Sequence, residues 1–113
     1  MEHRSSPRTK TSAALTVRRG GESFAARCVE LSQTGMLVRA RKALREGTWP
    51  YLSATLSLPC GDVTVLARRV GMRGDKVAYA FVVIDEASQA TLTDYLFDLM
   101  ATARRRRAVA VAA

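Results

Sequence analysis

Between Tyr51 and Leu58 apolar and hydroxyl-bearing side chains alternate without a break: Leu52, Ala54, Leu56 and Leu58 against Ser53, Thr55 and Ser57. Successive strand residues point to opposite faces, so this segment reads as a half-buried β-strand. The same period recurs on both sides of it. Thr11 to Arg19 alternates around Ala13, Leu15 and Val17 and meets Gly20-Gly21, a hairpin signal. Phe24, Ala26 and Cys28 form a second strand that runs into Val29 and Leu31, and Gly35 opens a third, Met36 to Arg41. After the Pro59-Cys60-Gly61-Asp62 turn, Val63, Val65 and Ala67 continue to about Met72. Beyond Arg73-Gly74-Asp75-Lys76, the strand Val77 to Val83 carries no charge on either face and is expected to be central and covered on both sides.

At Asp85 the period changes. Leu92, Tyr95, Leu96, Leu99, Met100 and Ala103 recur at helical spacing, so Asp85 to Ala103 reads as an amphipathic helix capped by Asp85 or Ser88. Arg104 to Arg107 are expected in its last turn, opposing the negative end of the helix dipole, with Ala108 to Ala113 as a frayed tail. Six short strands and one terminal helix make an all-β fold with a C-terminal helix: an antiparallel barrel or sandwich. The helix's apolar stripe needs a partner surface, either an open barrel end or a second copy of the chain.

At 113 residues and 48% hydrophobic content, the chain is one globular domain. No apolar run is long enough to span a bilayer and the N-terminus is too polar for a signal peptide, so the expected location is cytoplasmic. The net charge is +8, half of it in Arg104–Arg107. Arginine outnumbers lysine fivefold, which suits phosphate or base recognition and equally fits a genome rich in G and C. Cys28 and Cys60 form no CxxC, and with the lone His3 they cannot complete a zinc site. Both are expected as reduced, buried filler. No Ser/His/Asp or Cys/His set and no convincing acid/base pair is present, so the chain reads as a non-enzyme without a metal.

Two polar segments stand out from this frame. Residues 1–9 are an extended arm carrying Arg4 and Arg8 four apart, although Arg41/Arg45 and Arg69/Arg73 repeat that spacing. Glu30-Leu31-Ser32-Gln33-Thr34-Gly35 links two strands, where Gly35 is expected to supply a positive φ and the Ser32 hydroxyl to close a local bond. Trp49 and Tyr51 lie beside Arg41, Lys42 and Arg45, most simply as a loop packed on the barrel.

An RxxxR pair, about twenty residues, a [D/N]xSxxG turn, barrel strands and a closing helix resemble the PilZ domain. The likeness runs from about His3 to Met100 and includes Leu56-Ser57-Leu58-Pro59 and Ala78-Tyr79-Ala80-Phe81. It implies a six-stranded antiparallel barrel over residues 10–103, with an arm over 1–9 and a basic, Ala-rich tail over 104–113. It further implies a receptor for the bacterial second messenger cyclic di-GMP (c-di-GMP) that relays the signal to an effector protein as a monomer or homodimer. By position, Arg4, Arg8, Glu30, Ser32 and Gly35 would form the ligand site, with Glu30 where the family has Asp or Asn and Ala78 where it usually has Gly. An Arg fork fits guanine O6/N7 or a phosphate, and a turn carboxylate accepts from guanine N–H groups. Glu30 keeps the acceptor but adds a methylene, which motivates a second reading: an adaptor that has lost the ligand and works by protein contacts. A third is a small barrel binding nucleic acid non-specifically, for which a dedicated aromatic strand face is missing.

Overall fold

The computed structural model describes residues 8–39 and 50–112, with side chains of the closing helix as far as Arg106. Six strands are formed: β1 (Thr9–Arg19), β2 (Glu22–Leu31), β3 (Gly35–Arg39), β4 (Tyr51–Leu58), β5 (Gly61–Arg73) and β6 (Lys76–Ile84). They close in the order β1-β2-β3-β6-β5-β4, every neighbour antiparallel. Among the described strands, closure leaves no sheet edge exposed to pair with another chain. Gly20 and Gly74 supply the positive φ values, 56° and 60°, at the β1–β2 and β5–β6 turns.

The apolar halves of the alternating patterns point inward and fill the barrel. Leu15, Val17, Cys28, Leu31, Val38, Ala54, Leu56, Val63, Ala67 and Val77 are essentially without solvent contact. Four wall positions among the described residues break the alternation through register shifts, where an extra residue reverses which face the following side chains take, the first of them on β1 between Lys10 and Ala13. The bulge between Cys28 and Glu30 lets Cys28 and Leu31, three apart, both face inward. The Cys28 thiol donates to the Glu30 carbonyl at 3.2 Å across it. The bulge opposite Leu66/Ala67 ends the inward run of β6 at Phe81 and turns Val83 out. Val82 and Val83 are therefore 49% and 57% exposed, so β6 is not covered on both sides as its lack of charge suggests. A fourth shift, between Arg69 and Gly71, accompanies exposure of Val70 and Met72.

The helix α1 (Glu86–Ala112) covers one barrel end. Asp85 is its cap: Oδ1 accepts from the Ser88 amide at 2.7 Å. Ser88 has a different task. It is buried, and its hydroxyl accepts from the Thr64 amide at 3.0 Å, tying the first turn to β5. Leu92 and Leu96 enter the core, and Tyr95 shares a 2.6 Å hydrogen bond with Thr11 on β1. Because α1 continues to Ala112, the four arginines precede its last turn and do not stand at the dipole end. Residues expected as a frayed tail through Ala112 are helical in backbone.

Cys28 is fully buried as expected, whereas Cys60, in the β4–β5 turn, is exposed. Burial pushes the Cys28 thiol from 9.0 up to about 12, the bond to the Glu30 carbonyl acting the other way. Burial likewise raises the Tyr79 phenol, partly opposed by Arg69. A group held protonated by the fold stabilises it fully below its unfolded pKa, and that contribution is lost as pH rises through the folded value. Alkaline titration is therefore expected to lower the thermal midpoint from about pH 9 towards pH 12, with a smaller loss in Cys28→Ala. At neutral pH iodoacetamide should modify Cys60 alone in the folded chain and both cysteines in denaturant, read by mass spectrometry.

Candidate functional site

The register of β1 on β2 decides where the arm meets the barrel. Thr9 pairs with Leu31 and Lys10 with Glu30. Arg8, half-exposed at the entry to β1, is thus brought against the beginning of the Ser32–Gly35 turn. Arg4 lies outside the described residues, as do Trp49, Arg41 and Arg45.

The turn is built around Ser32, which is only 4% exposed. Its Oγ accepts from the Thr34 and Gly35 amides, both at 3.2 Å, and donates towards the Gly35 carbonyl at 3.3 Å. The Ser32 amide donates to the same carbonyl at 2.9 Å. The serine therefore closes the local bond expected of it.

Gly35 has another reason to be glycine. Its φ is not positive; those values belong to Gly20, Gly61 and Gly74. A Cβ at Gly35 would instead run into the Tyr79 carbonyl oxygen on β6, well inside contact distance. The Phe81 amide donates to the Thr34 carbonyl at 2.8 Å, clamping the turn to β6. The constraint is closeness between strands and not backbone handedness.

Glu30 sits on the outer wall, partly exposed, with Lys10 directly opposite on β1 and Leu37 on β3. Opposite charges facing across an antiparallel pair are mutually favourable. Continuing around the wall, Leu37 pairs with Ala78 and Gly35 with Ala80. The wall beside the turn is thus low and weakly polar, with Glu30 at its margin.

Two features escaped the sequence pattern. Gln33, a variable position of the turn motif, accepts through Oε1 from Gln89 at 3.0 Å and from Thr93 at 3.3 Å. It fastens the turn to α1. The second is a row of cations: Arg27 faces Arg39, Arg39 faces Lys76, and Lys76 faces Arg73 across four adjacent strands. Like charges in direct register repel. Asp75 offsets part of this at 3.7 Å from Arg39, and Arg27 donates to the Ser12 carbonyl at 3.2 Å. Arg39 is two residues from Leu37, so the row borders the Glu30–Leu37–Ala78 row at roughly 7 Å. Its field favours anions approaching this wall. Nothing in residue spacing announces it, since the four come from separate segments.

The family model of the PilZ domain matches residues 2–98, most of the chain. The chain belongs to the PilZ domain family. Solved structures agree on the fold of this PilZ domain. MotI/DgrA, the inhibitor of motility of Bacillus subtilis, superposes with a TM-score of 0.74 at 15% identity, over 90% of this chain and 53% of that one. The MrkH–c-di-GMP complex of K. pneumonia gives 0.76 at 16% identity, over 94% and 55%. The PilZ domain of YcgR from Escherichia coli, solved with c-di-GMP, gives 0.66 at 15% identity, over 94% and 98%. The chain spans about half the length of MotI/DgrA and MrkH. No curated protein matches it in sequence. Among the described residues no helix is long and apolar enough to cross a membrane, and no three His, Cys, Asp or Glu side chains are grouped to hold a metal ion.

The Gly35–Tyr79 approach yields a direct test. Gly35→Ala is expected to destabilise the domain by about 1–3 kcal/mol, as overpacking at a rigid contact does. Denaturant unfolding should show it, whereas Gly21→Ala, where a Cβ meets nothing within 4 Å, should cost far less.

Proposed function

We propose that this PilZ domain is a cytoplasmic receptor for c-di-GMP, held by Arg4, Arg8, Glu30, Ser32 and Gly35, that passes the signal to an effector protein. The observation that carries the reading is the Thr9–Leu31 pairing, which brings Arg8 to the Ser32–Gly35 turn. Family membership supports it, as do the YcgR and MrkH structures, whose c-di-GMP complexes share this fold. PilZ domains are receptor and adaptor domains rather than enzymes.

The chemistry follows from the parts. Arg8, at the edge of a prebuilt turn, can grip a ligand seated against that turn. Guanidinium groups fork onto phosphate or guanine, each good bidentate base contact contributing about 1–3 kcal/mol of discrimination. With its hydroxyl employed inside the turn, Ser32 acts by fixing the shape and the direction of the surrounding amides. Glu30 would accept from guanine N1–H and N2–H₂, in competition with its attraction to Lys10. The cation row adds long-range attraction for a dianionic ligand.

A second reading, an adaptor that does not bind the dinucleotide, is favoured by the longer acid at position 30 and by the lysine directly opposite it. Isothermal titration with c-di-GMP separates the two. The receptor reading expects saturable binding at micromolar ligand, weakened about tenfold to hundredfold in Arg8→Ala with an unchanged melting curve. Absence of heat at tens of micromolar ligand with the fold intact rejects it. If binding emerges only in Glu30→Asp, the natural chain is tuned away from the ligand and the adaptor reading holds.

A further inference from the structure

Phe97 contributes nothing to the core that α1 covers. It is 72% exposed, while Leu92 and Leu96 on the same helix are buried. It stands at the rim of a recess of about 220 Å³ lined by Thr9, Gln33, Thr93, Leu96, Phe97 and Met100. Two of these residues tie the recess to the candidate site: Thr9 follows Arg8 in the chain, and Gln33 follows Ser32. The recess therefore opens beside the point where the arm meets the turn.

Its dimensions and lining narrow what fits. The volume is below the roughly 300–1,000 Å³ of pockets that enclose a drug-sized ligand. It suits one fused-ring base and not a whole dinucleotide. The walls are an aromatic ring, a thioether and a leucine, with one amide at the edge. The amide is held in place, since Gln33 Oε1 accepts from both Gln89 and Thr93. Those bonds use the acceptor end of the amide, which leaves its NH₂ end to meet an acceptor edge such as guanine O6 or N7. A flat, polar-edged base on an exposed aromatic face is the arrangement by which proteins stack unpaired bases. Asp94, Asp98 and Arg104 to Arg106, all exposed, flank Phe97 along the helix.

We infer that this recess is a purine subsite, in which one base of the dinucleotide stacks on Phe97 while Arg8 and the turn hold the remainder. The inference rests on the c-di-GMP reading of the adjoining site, and it makes α1 part of the receptor surface. Titration of wild type, Phe97→Ala and Phe97→Tyr with c-di-GMP tests it. Phe97→Ala should bind about ten- to hundredfold more weakly with an unchanged melting curve, and Phe97→Tyr should recover affinity. Equal binding by wild type and Phe97→Ala overturns the subsite and leaves the receptor reading intact. If wild type fails to bind c-di-GMP, guanosine monophosphate at millimolar concentration decides by NMR. Met100 and Leu96 methyl shifts that vanish in Phe97→Ala support the subsite, and their absence in wild type overturns it. Sedimentation showing a ligand-free dimer that Phe97→Ala dissociates also overturns it, because the occupant is then a second copy.

Discussion

The backbone of Gly35 on β3 lies so close to the Tyr79 carbonyl on β6 that no side chain fits at that position. Everything at the candidate site inherits its position from there. The Phe81–Thr34 bond fixes the turn on β6, Ser32 gathers the turn's amides around its hydroxyl, and Gln33 carries the connection on to α1. A turn held from three sides is a rigid platform.

Electrostatics on this wall are not balanced for stability. Arg27, Arg39, Lys76 and Arg73 stand in register, and Asp75 partners one of them. Exposed ion pairs and repulsions of this sort are individually small. Their effect is mainly on the field over the wall beside Glu30. The same wall is lined by Leu37, which is buried, and by the partly buried Ala78 and Ala80.

Much of the fold was legible in the residues. The alternation of Tyr51–Leu58 gives β4 to the residue, and the change of period at Asp85 marks the start of α1. Glycine turns separate the strands where the pattern breaks. What misled were positions at which the pattern alone does not say which face a residue takes. The lack of charge in β6 suggested burial on both sides, yet a bulge turns Val83 outward. Gly35 suggested a positive φ, yet the reason for glycine is a neighbour 44 residues away in sequence. Cys60 suggested core filler, yet it falls in a turn beside the helix and is exposed. The helix end was missed because the arginines were read as a terminus, whereas they form continuous helix with the alanines and valines that follow.

By itself the sequence determined the number of strands, their order along the chain, the closing helix and the motif that marks the family. These depend on local period, turn chemistry and spacing, all of which are written along one dimension. Tertiary structure alone decided which strands became neighbours, and with that the facing of Lys10 and Glu30, the four-cation row, the tie from Gln33 to α1, and the recess beside Phe97. Each is a contact between segments that share no local signal. Register, shifted at four places in the described strands, had to be set before any of them existed.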